Sequence, residues 1–123
     1  MQKIFLQSGA ILGALAVALG AFGSHAFKAM LTASNRLDTY ETAVKYQFYH
    51  AIALILVGIL MNTIASKSMT YAGYSFLIGT IIFSGSLYII CFTGVKAFGA
   101  VAPIGGLSLI AGWLFLFWGV YKN

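Results

Sequence analysis

The chain of 123 residues is 61% hydrophobic and only 7% charged, whereas about a quarter of the residues in a soluble domain are charged. A water-soluble fold of this size has too little interior to hide so much apolar surface, so the composition excludes a soluble domain and indicates that lipid is the main solvent. The formal charge of +5 does not indicate a nucleic-acid partner, because the basic residues are scattered singly and form no cluster.

Four long apolar runs lie between these few charges, and each is long enough for a membrane-spanning helix of about 20 residues. They predict helices at about residues 4–25, 39–65, 71–92 and 101–121 of one integral membrane domain that occupies residues 1–123. We therefore expect an all-α membrane protein, in which four transmembrane helices form an up-and-down bundle with both termini on the same side.

The first helix carries a stripe of small residues at intervals of three and four, a spacing that keeps them on one helix face. Small side chains let two helix backbones approach closely, which is how helices associate in lipid. The stripe predicts a close-packing surface on this helix, and its members are Gly9, Gly13, Ala16, Gly20 and Gly23.

A polar loop at residues 26–38 precedes the second helix. Asp38 is predicted to be the N-cap of this helix, with an acidic residue, Glu41, at the third helical position. Glu41 and Lys45 stand four residues apart, in the favourable order for a pair on a helix surface. Three tyrosines near the start of the helix are predicted to lie at the depth of the lipid headgroups: Tyr40, Tyr46 and Tyr49.

The last two helices follow shorter connections. Residues 66–70 are predicted to be a turn, and Pro103 suits the first turn of the fourth helix, where its missing N–H leaves no hydrogen bond unmade. The single cysteine, Cys91, excludes a disulfide within the chain. The fourth helix has a small-residue face of its own, which predicts a second close-packing surface: Gly105, Ser108 and Gly112.

The two histidines lie at the end of the first helix and near the start of the second, and a hairpin connection makes these two helices neighbours. Polar residues at membrane depth are energetically expensive and are candidates for function. The structural interpretation is that they hydrogen-bond the loop to the bundle, and the alternatives are ligand binding or proton handling, or ligation of a haem or metal. We predict a polar cluster on the loop side of the bundle: His25, Glu41, Lys45, Gln47 and His50.

The sequence contains no recognisable catalytic or cofactor motif. It has no Ser/His/Asp order, no HExxH motif and no glycine-rich phosphate loop. Two histidines without cysteines or suitably spaced carboxylates are a weak indication of a metal site. No acidic residue is predicted at mid-membrane, where a proton-driven transporter usually needs a carboxylate. We therefore expect a protein that is not an enzyme, and we predict no catalytic residue, no cofactor and no metal site.

Four segments in this order, GAFGSHAFK, ETAVKYQFYHAIAL, GSLY and APIGGLSLIAGW, resemble the small multi-pass membrane proteins of the YgdD and transmembrane protein 256 type. This family of unknown function is found in bacteria and has eukaryotic relatives. The resemblance covers the whole chain, with Ser24 standing where the family usually has alanine. It implies four transmembrane helices in a plasma membrane, and it brings no established activity.

The expected function is that of a small integral membrane protein of unknown biochemical activity, which acts by helix-mediated association. Its partner would be lipid, a second copy of the chain or another membrane protein, and the association surfaces would be the small-residue faces of the first and fourth helices. One alternative is a small oligomeric transporter or channel. Another is a haem- or metal-binding membrane component that uses His25 and His50. With the amino terminus counted, the positive charges divide four against four between the two sides, so they predict no membrane orientation.

Overall fold

The computed structural model describes residues 1–122, which form five α-helices and one short 3₁₀ helix. Four helices are long and apolar enough to cross a membrane, which confirms the prediction of an all-α membrane protein with four spans. The elements in chain order are α1 (Gln2–Ser24), α2 (Lys28–Ala33), α3 (Leu37–Leu60), α4 (Lys67–Thr93), the 3₁₀ helix (Lys96–Gly99) and α5 (Ala102–Lys122).

Each long helix packs against the next long helix in the chain, so α3 and α4 form the centre of the bundle and α1 and α5 flank them. The α1 and α3 helices are antiparallel, because the Gln2 side chain donates a hydrogen bond to the Gly58 carbonyl at 2.7 Å while the Tyr40 hydroxyl donates to the Leu19 carbonyl. The later pairs alternate in the same way, as an up-and-down bundle does. The location of both termini on one side of the membrane stays a prediction.

The turn between the second and third spans differs from the predicted one. The α3 helix ends at Leu60 and α4 already begins at Lys67, so residues 67–70 are helical rather than part of a turn. Ser66 explains the early start, because its hydroxyl accepts a hydrogen bond from the Ser68 N–H at 3.1 Å and caps the helix. The second span is therefore shorter than predicted and the third is longer.

The N-cap predicted for the second span is wrong. The N-cap position of α3 is Arg36, and Asp38 lies inside the first helical turn. A carboxylate in the first turn still interacts favourably with the positive end of the helix dipole. Asp38 therefore lies near the beginning of the helix as predicted, but it stabilises the helix through its charge rather than through a capping hydrogen bond.

The small-residue stripe of α1 faces α3. A Cβ atom added to Gly9 would lie 2.7 Å from the Ala51 oxygen, and one added to Gly13 would lie 3.8 Å from the Ala51 Cβ. Nearer the end of α1, a Cβ on Gly20 would lie 3.4 Å from Val44, and one on Gly23 would overlap the ring of Tyr40. The fifth member, Ala16, is buried. The stripe therefore packs against α3 of the same chain.

The small-residue face of α5 is used in the same way against α4. A Cβ atom added to Gly105 would lie 2.8 Å from the Cα of Phe83, and one added to Gly112 would lie 2.6 Å from the ring of Phe76. Ser108 donates its hydroxyl to the Ser75 carbonyl at 2.9 Å. The expectation that these two faces are surfaces for association with a partner is therefore wrong, since both lie inside the bundle.

The polar loop after α1 is docked onto the end of the bundle by the short α2 helix. Leu31 is fully buried and packs with Tyr40 and Cys91. Phe27, just before α2, contacts the ring of Phe92 on α4 with ring centroids 5.4 Å apart. These residues form an apolar cluster that holds the loop side of the bundle together. A larger apolar cluster around Phe5, Leu54 and Phe76 fills the remaining interior of the bundle.

Candidate functional site

A buried amide lies at the centre of the bundle. Gln47 is in the middle turns of α3 and only 4% exposed. Its side-chain N–H₂ donates to the Leu12 carbonyl of α1 at 2.8 Å, and its side-chain oxygen accepts from the Tyr88 hydroxyl of α4 at 2.7 Å. One side chain therefore ties three helices together, a common use of polar residues in membrane bundles.

Tyr40 and Tyr88 extend this network toward the loop side. Tyr40 is only 1% exposed, its ring meets that of Tyr88 edge-on at 5.6 Å, and its hydroxyl donates to the Leu19 carbonyl of α1. The prediction that Tyr40 lies among the lipid headgroups as an interfacial aromatic is wrong. Gly23 has no side chain, so the ring of Tyr40 packs closely against α1 at this position. Tyr46 and Tyr49 are exposed on the outer surface.

His50 is buried near the middle of α3, not at its start. Its Nδ1 atom lies 2.8 Å from the Tyr46 carbonyl, and its Nε2 atom lies 3.0 Å from the indole N–H of Trp113 on α5. A carbonyl can only accept a hydrogen bond and an indole N–H can only donate one. The partners therefore assign the hydrogen to Nδ1 and the acceptor lone pair to Nε2. Both ring nitrogens of this neutral imidazole are satisfied.

His25 occupies a different place. It is exposed and follows the last residue of α1, where its backbone N–H bonds to the carbonyls of Ala21 and Phe22. Gly23, two residues before His25, faces Tyr40 on α3. Tyr40 is ten residues before His50, which corresponds to about 15 Å along the helix. The two histidines are therefore far apart and cannot ligate one haem or one metal in this bundle. Residues 1–122 contain no group of three side chains suited to holding a metal ion.

The predicted polar cluster is therefore divided among four separate places. Gln47 and His50 belong to separate buried hydrogen-bonding sites, while His25 is exposed at the end of α1. Glu41 and Lys45 are exposed on the outer surface of α3, where they line a groove beside α1. The prediction assumed that polar residues near the start of the second span lie together. In the structure they lie on different faces of α3, which face α1, α4, α5 and lipid.

Two contacts of this site were not predicted from the sequence. Trp113 is 63 positions from His50 and Tyr88 is 41 positions from Gln47. A buried acceptor in an apolar helix needs a donor, and Tyr and Trp carry the available donors. That rule narrows the choice of partner, but it does not select one aromatic among many. Thr80, in the middle of α4, has a buried hydroxyl without a partner among the described residues.

We expect the Gln47–Tyr88 contact to be measurable as a coupling in a double-mutant cycle. Gln47→Leu and Tyr88→Phe each remove one partner, so the double variant should be less destabilised than the sum of the two single variants. Interhelical hydrogen bonds in membranes contribute about 0.6 kcal/mol and at most about 1.7 kcal/mol, which sets the expected coupling. Reversible unfolding in mixed micelles measures it. A control cycle of Gln47→Leu with Ser108→Ala, on α5, should show additivity, and additivity in both cycles would contradict the contact.

Comparison with known proteins places the chain among small membrane proteins of unknown function. The family model described as "Protein of unknown function (DUF423)" matches residues 19–106. A UPF0382 membrane protein of Staphylococcus haemolyticus is 40% identical over 121 residues, with 98% of both chains covered. The UPF0382 membrane protein YwdK of Bacillus subtilis is 38% identical over 116 residues, with 94% of both chains covered. No solved structure matches the chain.

The match extends over most of the chain and includes the loop side of the bundle, the centre of α3 and the start of α5. It agrees with the resemblance of the GAFGSHAFK and ETAVKYQFYHAIAL segments to the YgdD and transmembrane protein 256 type. The four apolar helices and the names of the relatives together identify a small multi-pass membrane protein. The chain belongs to the DUF423 family of membrane proteins, whose biochemical activity is unknown.

Proposed function

We propose that this protein acts by lateral association in the bilayer, with lipid, a second copy of the chain or another membrane protein as its partner, and not as an enzyme. The observation that carries the proposal is that fully buried polar side-chain atoms are hydrogen-bonded within the bundle, with the Thr80 hydroxyl as the exception among residues 1–122. Gln47, His50 and Ser84 each bond to a neighbouring helix or its side chains. Because these groups serve the fold, the surfaces left for interaction are the outer faces of the helices.

The transporter alternative receives less support from this geometry. A polar path needs side chains free to face a solute, and Thr80 is the one buried side-chain polar atom without a partner in residues 1–122. Large apolar side chains such as Phe5 and Phe76 fill the space between the helices. The α1 and α5 helices flank the central pair and do not close a ring around a pore. A second copy of the chain would be needed to build one.

We also propose a plasma-membrane location. Four apolar α-helices are the form in which a chain satisfies its backbone hydrogen bonds inside a lipid bilayer. Bacterial outer membranes instead hold β-barrels, and the relatives are bacterial membrane proteins. A plasma membrane therefore suits this chain best.

Native mass spectrometry of the protein extracted gently from its membrane tests the association. We expect the wild type, His25→Ala and His50→Ala to retain the same lipid or protein partner at a defined stoichiometry. We also expect liposomes that contain the wild type to show no more ion or solute flux than empty ones. A bare monomer that supports flux would overturn the proposal in favour of a transporter. A haem or metal lost from the His50→Ala variant would overturn it in favour of a cofactor-binding component.

A further inference from the structure

A groove runs along the outer surface of the bundle between α1 and α3. Its outer part has a volume of about 160 Å³ and lies over Gly20 and Gly23, near the end of α1. Its inner part has a volume of about 270 Å³ and lies beside Val17 and Phe48. Both parts are lined by Lys45 together with Val44, so the two depressions adjoin at these residues on the outer surface of the bundle.

The groove exists because α1 carries glycine where it passes the start of α3. Gly20 and Gly23 have no side chains to fill the space, and the ring of Tyr40 lies directly against Gly23. The tyrosine hydroxyl is held by the Leu19 carbonyl, so this floor is fixed by the fold. The walls of the inner part remain accessible, since Val17 is 63% exposed and Phe48 is 39% exposed.

Two opposite charges stand on the rim of the groove. Glu41 lines the outer part, and Lys45 stands one helical turn further toward the middle of the bundle. Both side chains are exposed, and no ion pair of 4.0 Å or less occurs among residues 1–122. The chain has only two acidic residues, and Glu41 is the one that lines the groove. Both charges are available to a ligand.

The polarity of the groove changes along its length. The outer part begins at Ser24, the last residue of α1, and the inner part reaches Ala16, which is about 12 Å further along the helix. From the bundle end inward, a ligand would meet a carboxylate, then an ammonium group and then apolar side chains. The Lys45 ammonium can reach outward along its flexible stem while the stem stays in apolar surroundings.

We propose that this groove binds one glycerophospholipid whose headgroup carries a phosphate followed by a primary ammonium group. Such an aminophospholipid presents acyl chain, phosphate and ammonium in the order in which the groove presents Phe48, Lys45 and Glu41. The phosphate would lie at the Lys45 ammonium, and the lipid ammonium would donate to the Glu41 carboxylate. The proposal rests on the lateral association proposed above and names its ligand class.

Native mass spectrometry with equimolar phosphatidylethanolamine and phosphatidylglycerol tests the headgroup. We expect the wild type to retain phosphatidylethanolamine preferentially. Lys45→Gln should lower the retention of both lipids about fivefold, which is the effect of one basic residue near an anionic membrane surface. Glu41→Gln should lower the retention of phosphatidylethanolamine only and so remove the preference. Lys28→Gln, on α2 outside the groove, is the matched charge control and should bind as the wild type does.

A groove-filling variant tests the position of the lipid. Val17→Trp places an indole in the inner part and should abolish the preferential retention of phosphatidylethanolamine. Ile11→Trp makes the same change at an α1 position that is 61% exposed and does not line the groove, and it should have no effect. Equal retention of the two lipids by the wild type, or unchanged retention by Val17→Trp, would overturn the assignment.

The outcomes separate this inference from the proposed function. If the wild type keeps a stoichiometric protein or lipid partner that the groove variants keep equally, the groove assignment fails and lateral association stands. If the wild type keeps no partner of any kind, both fail. If phosphatidylglycerol binds better than phosphatidylethanolamine and only Lys45→Gln weakens it, the groove is a simple anion site and the assignment to an aminophospholipid is wrong.

Discussion

Gly105→Leu should lower the free energy of unfolding by at least about 3 kcal/mol, the upper end of the usual cost of overpacking. A Cβ atom at this position would lie 2.8 Å from the Cα of Phe83. The obstructing atoms belong to the α4 backbone, so no side-chain rotation can relieve the clash and the two helices must separate. Separation would also break the bond from Ser108 to the Ser75 carbonyl. Thermal unfolding in detergent, followed by circular dichroism, measures the loss.

Gly85→Leu is the matched control for this substitution. Gly85 also lies in a membrane-spanning helix, but an added Cβ atom would have no neighbour within 4 Å. Because leucine favours a helix over glycine by up to about 1 kcal/mol, this variant should be as stable as the wild type or slightly more so. Similar losses from both variants would show that α4 and α5 do not approach as closely as the structure indicates.

Phe76→Ala should lower the free energy of unfolding by about 2 kcal/mol or more. The ring is fully buried, fills the space left by Gly112 and meets Trp113 edge-on at 4.9 Å. In soluble cores such a truncation costs about 3–5 kcal/mol. The loss in lipid should be smaller, because lipid is as apolar as the core and lost van der Waals packing is then the main term.

A second readout tests the position of this ring beside the buried histidine. Phe76 lies 5.5 Å from His50, centroid to centroid, and helps to hold the imidazole against Trp113. Phe76→Ala should therefore change the tryptophan fluorescence as well as the melting temperature. Phe117→Ala removes an equal ring from the outer surface of α5, where it is 64% exposed, and should leave stability nearly unchanged. Equal destabilisation by the two variants would contradict the assigned core.

The four spans could be predicted because they depend on local properties of the chain. A run of about 20 apolar residues matches the thickness of a bilayer wherever it lies in the fold. The ends of the spans were less predictable. The α4 helix begins directly after the Ser66 cap, and Asp38 lies within the first turn of α3 rather than before it. Several polar residues near each boundary can cap a helix, and the surrounding structure decides which of them does.

The sequence was enough to predict which polar residues the candidate site contains, but not which residues they contact. Gln47 and His50 were recognised as polar side chains in an apolar helix, which membrane energetics mark as exceptional. Their grouping with His25 was wrong, because closeness along the chain says little about which face of α3 each residue occupies. The partners of Gln47 and His50 come from α4 and α5.

The sequence by itself determined the solvent, the number of helices and the presence of two close-packing faces, because apolar length and small-residue spacing act within one helix. Only the tertiary structure decided that these faces pack inside one chain, that Tyr40 is buried and that His50 meets Trp113. Those outcomes depend on the rotation of each helix about its axis. That rotation is set by the simultaneous packing of all four spans, which no single segment encodes.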